Sequence, residues 1–316
     1  MSKTLHIVPG LDDVANGMVV VAKLLAKEQG DAEVVDLNDV DRCKVAAADE
    51  VWVHGMWLPK EWLACWHTLK AGKKLVRMTH GSLSPIYLTR QSPWKKRLVS
   101  PIERYFLRNA DKVVATCNAE VEWIRSYEPR VRSIEIVDLK RFFNLNPVNP
   151  VNPVKKDLHL LYLGRRHPLK GISYLESAVR QIWENRSDLF SQKGNPSPSP
   201  SSVCCELRVV SSAFGEELEK VWDWCDVLVL PTLSENFGLV IAEALERGKC
   251  VITTDGAPAW GENLSRVEHA DHVEGGEMLS GYGGRLIYLK GYRDGTPDLR
   301  INLLSSAISL ILGKQV

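Results

Sequence analysis

Two glutamates stand eight positions apart in one segment of the chain, Glu235 and Glu243. The apolar run Val227–Leu230, typical of a buried strand, ends shortly before them, and the pattern predicts a helix start near Leu239. Carboxylates in this setting suit hydrogen bonding to the hydroxyl groups of a ligand. In the alternative interpretation, Glu235 caps the helix and Glu243 is a solvated helix residue.

The predicted helix start also offers a site for an anion. The backbone N–H groups of Asn236–Val240 would lack intrahelical partners, and the positive end of the helix dipole lies there. Gly238 would let the backbone approach a ligand closely. The segment therefore combines amides that suit a phosphate with carboxylates that suit hydroxyl groups.

A second segment supplies positive charge. Arg165 and Lys170 follow the predicted strand Leu158–Leu163. An arginine and a lysine that converge on a phosphate stabilise the negative charge that develops when it leaves. A solvated basic turn is the alternative interpretation, and Arg166 and His167 are weaker candidates in the same turn.

The first half of the chain contributes histidine and glycine candidates. His80 follows the predicted strand Lys74–Thr79, and His54, at the end of the run Glu50–His54, is the competing candidate. Gly17 closes the loop that follows the first predicted strand. In parallel sheets ligands bind outside the carboxyl ends of the strands, where all three residues are expected.

These segments resemble one known family. SENFGL at 234–239, followed by Glu243, resembles the E-x7-E motif of retaining glycosyltransferases of the GT-B fold, family 4 type (group 1). LYLGRRHPLKG at 161–171 is similar to the family's G-R-x4-K-G segment, and LVRMTHGSLS at 75–84 to the segment that carries its N-domain histidine. The first loop departs from the family, because only Asn16 and Gly17 remain where a glycine pair is usual.

The resemblance implies a role for each candidate. Glu235 and His80 would contact the donor sugar, Glu243 would bind the ribose, and Lys170 and Arg165 would neutralise the leaving diphosphate. The remaining substrate-binding positions are the amides of Asn236, Phe237, Gly238 and Leu239, and Gly17.

The implied reaction is transfer of a hexose-type sugar, with retention, from a nucleotide-diphosphate donor to a glycan or glycolipid acceptor. The family uses no metal, and the sequence contains no Asp-x-Asp motif. We therefore expect no cofactor besides the nucleotide sugar, which is a co-substrate. The resemblance suggests a step in cell-envelope polysaccharide or lipopolysaccharide synthesis.

Strands alternate with helices in both halves of the sequence, which predicts parallel sheets covered by helices on both faces. We expect an α/β protein of the GT-B type, in which two Rossmann-like, doubly wound domains face each other across a cleft. Residues 1–150 would form the acceptor-side domain and residues 151–316 the nucleotide-sugar domain. The proline repeat NPVNPVNPV at 146–154 suits a semi-rigid linker, and GNPSPSPSS at 194–202 is a low-complexity loop.

The composition of the chain argues against several classes of protein. The 316 residues are 45% hydrophobic, enough for two cores, and the formal net charge of +1 argues against a nucleic-acid partner bound by bulk charge. The seven cysteines form no C-x-x-C pair, so we expect neither a zinc ribbon nor a disulfide framework. Without a signal peptide or a long apolar run in the sequence, a cytoplasmic protein is expected.

Residues 85–108 mix aromatic and basic side chains, among them Trp94, Lys95, Lys96 and Arg97. Such a stretch suits peripheral contact with an anionic membrane surface on the inner face of the cell membrane. A helix with an apolar core face and a solvated basic face is the alternative.

Three other functions compete. A GT-B epimerase or phosphorylase would use the same donor motifs. A non-catalytic nucleotide-sugar-binding module is disfavoured because Glu235, Lys170 and Arg165 are all present. An unrelated doubly wound nucleotide-binding protein is disfavoured because neither G-x-x-x-x-G-K-[ST] nor G-x-G-x-x-G occurs at a strand–helix turn.

Overall fold

The computed structural model describes residues 3–13, 16–90, 92–145, 158–192, 205–267 and 273–312. The chain divides into two compact units, Met1–Phe142 and Phe143–Val316. The domain boundary predicted at residue 150, the proline repeat at 146–154 and the low-complexity segment at 194–202 lie outside the described residues, so these remain predictions.

The first unit is built on a parallel sheet. Its six strands lie in the order β2-β1-β3-β4-β5-β6, and every neighbouring pair is parallel. The central strands β1, β3 and β4 are buried along nearly their whole length, as expected for a parallel sheet covered on both faces. The strands are β1 Thr4–Val8, β2 Ala32–Asp36, β3 Glu50–His54, β4 Lys74–Met78, β5 Lys112–Ala115 and β6 Ile134–Ile136.

Helices connect these strands. Their starts are marked by local signals, such as the Asn16 side chain that accepts a hydrogen bond from Met18 N at the first helix. The helices are α1 Gly17–Gln29, α2 Arg42–Ala47, α3 Pro59–Lys70, α4 Pro85–Arg90, α5 Pro93–Asn109 and α6 Asn118–Tyr127.

The second unit has a mixed sheet of seven strands in the order β11-β12-β13-β10-β9-β7-β8. Strands β7 to β10 and β13 form a parallel core, whereas β11 and β12 add antiparallel pairs at one edge. The strands are β7 Leu158–Leu163, β8 Cys205–Val210, β9 Val227–Leu230, β10 Cys250–Thr254, β11 Ser265–Arg266, β12 Glu277–Gly281 and β13 Leu286–Lys290. The helices are α7 Ile172–Gln192, α8 Gly215–Trp224, α9 Leu239–Glu246 and α10 Pro297–Ile311.

The predicted α/β class is confirmed, since each unit is a parallel-dominated sheet with helices. The sequence analysis did not predict α2, β6 or the antiparallel edge. Strand β12 contains Gly281 and Ser280, and β11 is only two residues long, so neither carries a clear apolar alternation.

The aromatic and basic stretch at 85–108 folds as two helices, α4 and α5. The expectation that Lys96 belongs to an outward basic face is wrong. Lys96 is buried, its ammonium donates to Tyr87 O, and it lies 3.5 Å from the centre of the Tyr87 ring. The neighbouring Lys95 and Arg97 are exposed.

Candidate active site

In the second unit, three loops meet at the carboxyl ends of β7, β9 and β10. Leu233 N donates to Leu169 O at 2.7 Å, which joins the loop after β9 to the loop after β7. Glu235 N donates to Gly256 O at 2.8 Å, which joins the loop after β9 to the loop after β10. Main-chain bonds thus hold the two predicted donor motifs against each other.

Two glycines make this approach possible. A Cβ on Gly171 would lie 2.0 Å from Pro231 O, and a Cβ on Gly256 would lie 2.1 Å from Thr232 O. Gly171 also has φ +66°, a left-handed conformation that side chains disfavour. Neither position tolerates a larger residue without a shift of the main chain.

The approach brings Lys170 and Glu235 together. Lys170 Nζ donates to Glu235 Oε2, and the two side chains are 22% and 24% exposed. The buried Tyr162 donates its hydroxyl to Arg165 O at 3.0 Å. Burial, with the Glu235 carboxylate nearby, raises the pKa of Tyr162, so the phenol stays protonated and acts as a donor.

The rest of the basic turn divides into exposed and structural residues. The Arg165 side chain is exposed, and no carboxylate in the described part of the chain pairs with it. Arg166 lies 4.0 Å from Glu176, and His167 Nδ1 accepts from Leu169 N. Arg165 is therefore available to an anion, whereas His167 stabilises its own turn.

The loop before α9 is anchored through Phe237. Its ring packs on Trp260 at 5.2 Å and on Phe143 at 6.3 Å, and its carbonyl accepts from Trp260 Nε1. Gly238, at φ +70°, precedes the first helical residue, Leu239. The Asn236 amide donates to Glu235 Oε1 at 3.2 Å. The predicted amide positions thus lie on a fixed turn at the positive end of α9.

Glu243 lies one turn into α9 and is half-buried. Burial raises the pKa of its carboxyl group. No described residue donates a hydrogen bond to this carboxylate. Burying a carboxylate without a donor is unfavourable, which makes Glu243 a suitable acceptor for ligand hydroxyl groups.

In the first unit, His80 lies two residues beyond the end of β4, with the uncommon φ of +49°. The buried carboxylate of Glu120 accepts from Thr79 Oγ1 and from Gly81 N, both at 2.6 Å, and from Thr116 N at 2.8 Å. Glu120 thus fixes the main chain on both sides of His80. Glu120 was not predicted from the sequence. The one feature that points to it is its position, as an acidic residue in the first turn of a helix that follows a strand.

The two candidate histidines are in direct contact. His54 Nδ1 lies 2.8 Å from His80 Nε2, and His54 Nε2 lies 2.9 Å from His6 Nδ1. His54 is fully buried with both ring nitrogens bonded, whereas His80 is half-buried. Of the two, His80 is the one that a ligand can reach.

Gly17 is the exposed first residue of α1. The Asn16 side chain that caps this helix also donates to Pro9 O at 2.7 Å and so fixes the loop after β1. Within the described ranges, no group of three or more histidine, cysteine, aspartate or glutamate side chains has a geometry that could hold a metal ion. The ligand contacts of Gly17 and the absence of a metal both stay predictions.

Two family models match the chain, one in each half. The "Glycosyl transferase 4-like domain" model matches residues 10–138, and the "Glycosyl transferases group 1" model matches residues 157–275. The chain belongs to the group 1 glycosyltransferases, as the sequence motifs indicated.

Two curated relatives match parts of the chain. An uncharacterised glycosyltransferase of Methanocaldococcus jannaschii is 32% identical over 103 residues, 30% of this chain and 26% of the relative. The D-inositol 3-phosphate glycosyltransferase of Streptomyces scabiei is 29% identical over 180 residues, 48% of this chain and 40% of the relative. The match therefore spans less than half of either relative.

Solved structures share the fold over nearly the whole chain. Sucrose-phosphate synthase from Thermosynechococcus elongatus superposes with a TM-score of 0.58 at 16% identity, covering 99% of this chain and 92% of that one. The Anabaena protein HepE, solved with UDP-glucose, gives 0.51 at 14% identity, covering 99% and 96%. These likenesses show that the chain has the GT-B fold.

The glycine at 171 gives the first testable prediction. Gly171→Ala should destabilise the protein by more than the roughly 1–2 kcal/mol of a left-handed alanine, because its Cβ also meets Pro231 O. Urea denaturation measures the change. Gly215→Ala is the matched control, since Gly215 has φ +55° but nothing within 4 Å of its Cβ. Equal losses in the two variants would show that the contact with Pro231 is unimportant.

Proposed function

We propose that the protein transfers a hexose-type sugar, with retention, from a nucleotide-diphosphate donor to a glycan or glycolipid. The observation that carries the proposal is the contact of Lys170 with Glu235, beside the exposed Arg165 and the Phe237–Leu239 amides at the start of α9. One small region thus offers cations for a diphosphate and carboxylates for hydroxyl groups. The family membership supports the same assignment.

In the proposed reaction, the bond between the sugar C1 and the diphosphate oxygen breaks, and the acceptor hydroxyl attacks C1 from the same face. The proton of that hydroxyl passes to the leaving phosphate oxygen. Lys170, Arg165 and the amides of Phe237–Leu239 stabilise the negative charge on the diphosphate. The proposal assigns this neutralisation to the protein's own groups and needs no cofactor besides the nucleotide sugar.

In this proposal the carboxylates of Glu235 and Glu243 bind different parts of the donor. Glu243 on α9 is assigned to the ribose hydroxyls, and Glu235, which accepts from Lys170, to the sugar hydroxyls. His80 of the first unit is assigned to the sugar as well. Its ring is neutral, because burial lowers its pKa to about 3, and a neutral imidazole suits hydrogen bonding to a hydroxyl group.

The leaving-group assignment is tested with Lys170→Ala. The loss of one charged hydrogen bond costs about 1.5–3 kcal/mol, so turnover should fall by roughly ten- to a hundredfold. Steady-state kinetics with a panel of nucleotide sugars measures the change. Arg166→Ala, in the same turn but paired with Glu176, is the control and should keep wild-type turnover. A Lys170→Ala variant as fast as the wild type would contradict the assignment.

The carboxylate assignment is tested by calorimetry with the free nucleoside diphosphate, which carries the ribose but no sugar. Glu243→Gln should weaken binding, because the ribose hydroxyls lose a charged acceptor. The loss of one charged hydrogen bond costs about 1.5–3 kcal/mol, so the dissociation constant should rise by roughly tenfold or more. Glu235→Gln should leave the affinity almost unchanged. The opposite pattern would mean that the two roles are exchanged.

A lipid-linked acceptor would bring the protein to a membrane surface. On α5, four large side chains at helical spacing are exposed: Trp94 by 66%, Leu98 by 74%, Ile102 by 40% and Tyr105 by 52%. Exposed basic residues flank this stripe, a combination that suits the surface of an anionic bilayer. No helix among the described residues is long and apolar enough to cross a membrane.

The membrane proposal is tested by co-sedimentation with vesicles. Lys95→Ser with Arg97→Ser should weaken binding to anionic vesicles by about thirtyfold, since each charge contributes about 1 kcal/mol near the surface. Lys23→Ser with Lys27→Ser removes two exposed charges from α1 and is the control. If the wild type does not bind anionic vesicles at low salt, the exposed face of α5 contacts solvent rather than lipid. A soluble glycan is then the favoured acceptor.

A further inference from the structure

Three histidine rings form a hydrogen-bonded row inside the first unit. His80 Nε2 faces His54 Nδ1, His54 Nε2 faces His6 Nδ1, and His6 Nε2 lies 2.7 Å from Gln29 Oε1. His6 and His54 are fully buried. The proposed reaction uses His80 alone, so it gives the two inner rings and Gln29 no role.

The rings of this row are neutral. Burial lowers the pKa of His6, of His54 by a larger amount, and of His80 to about 3. The charged groups that act on the row are Glu50 on β3, which raises the pKa of His6, and Arg77 on β4, which lowers that of His54. Desolvation outweighs the effect of Glu50.

Neutral rings in a row can be protonated in only two ways. Each contact between two ring nitrogens needs one donor and one acceptor, and each neutral imidazole carries a single N–H. Once the donor at one end of the row is chosen, every other position is fixed. The group that contacts His6 at one end of the row therefore determines which nitrogen of His80 carries the proton at the other end.

Gln29 presents its amide oxygen, which can only accept. With the Gln29 amide in this orientation, His6 carries its proton on Nε2 and accepts on Nδ1, and His54 donates from Nε2. His54 accepts in turn on Nδ1, so His80 donates from Nε2. His80 Nδ1 is left with a lone pair, and no described residue bonds to it.

We infer that Gln29, His6 and His54 are positioning residues that hold His80 in the tautomer with its proton on Nε2, so that Nδ1 accepts a hydrogen bond from a ligand. The group that meets His80 is then a donor such as a sugar hydroxyl, and an acceptor-only group such as a phosphate oxygen is disfavoured. The identity of that ligand rests on the proposed function, whereas the proton arrangement does not.

The arrangement can be measured in the ligand-free protein. Nitrogen-15 NMR of labelled histidines should show His80 protonated on Nε2 and unprotonated on Nδ1 at neutral pH. His67, whose Nε2 accepts from Arg42 Nε away from the row, serves as the internal reference. A His80 ring with its proton on Nδ1, or in equal exchange between both nitrogens, would overturn the inference.

Variants at the exposed end of the row provide the sharper experiment. Gln29→Lys offers only donors, so it should reverse every hydrogen bond and move the His80 proton to Nδ1. Gln29→Met, of similar length but without hydrogen-bonding groups, should leave a mixture, and so should His54→Phe. Unchanged His80 signals in Gln29→Lys and His54→Phe would show that the row does not control His80.

Activity links the row to the ligand. Gln29→Lys should lower turnover by about two- to tenfold, the effect of one neutral hydrogen bond, without a change in thermal stability. The loss should disappear with the deoxy donor that lacks the hydroxyl facing His80. If the His80 proton moves to Nδ1 in Gln29→Lys and turnover is unchanged, the assigned contact between His80 and the ligand is wrong. If the wild type transfers no sugar while the NMR result stands, the proposed function fails and the proton arrangement holds.

Discussion

The close approach of two main-chain segments at Gly171 determines the arrangement of the donor motifs. Lys170 and Glu235 are 65 positions apart in the sequence and meet because Leu169 O accepts from Leu233 N, which joins their two loops. Their ion pair is too weak to cause this arrangement, since a partly exposed pair contributes about 0–1 kcal/mol. The side-chain contact is a consequence of the packed main chain, which a residue larger than glycine at 171 would prevent.

The first unit fixes its candidate residue in another way. The left-handed conformation of His80 costs about 1–3 kcal/mol and must be held by its surroundings. Glu120 does this by accepting from Thr79 and Gly81 on either side of it. Leaving the buried Thr79 donor unpaired would alone cost about 1–3 kcal/mol, so the bonds to Glu120 are sufficient to keep His80 in place.

Local signals explain what the sequence could predict. Strand β9 and the start of α9 were predicted at their observed residues, because an apolar run and a helix start are encoded in neighbouring positions. Lys170 and Glu235 each follow a predicted strand, and the resemblance assigned both to one donor, Lys170 to its diphosphate and Glu235 to its sugar. The ligand roles of these residues still rest on the family resemblance.

Non-local pairing explains what the sequence could not predict. The histidine row depends on the strand order β1-β3-β4, which places His6 beside Trp52 and His54 beside Met78. No spacing within one segment encodes that order, so His6 appeared to be an ordinary strand residue. The burial of Lys96 was missed for the same reason, because its partners on α4 and at Trp57 are contributed by other segments.

The two units therefore differ in how a substitution at the site acts. In the second unit the main chain holds the geometry, so a change at Arg165 or Glu243 alters the local charge while the loops remain joined. In the first unit buried side chains hold the geometry, and a polar substitution near His80 moves the main chain or redistributes protons before it affects a ligand. Side chains on these loops can therefore change without separating them, because Gly171 and Gly256 carry the structural constraint.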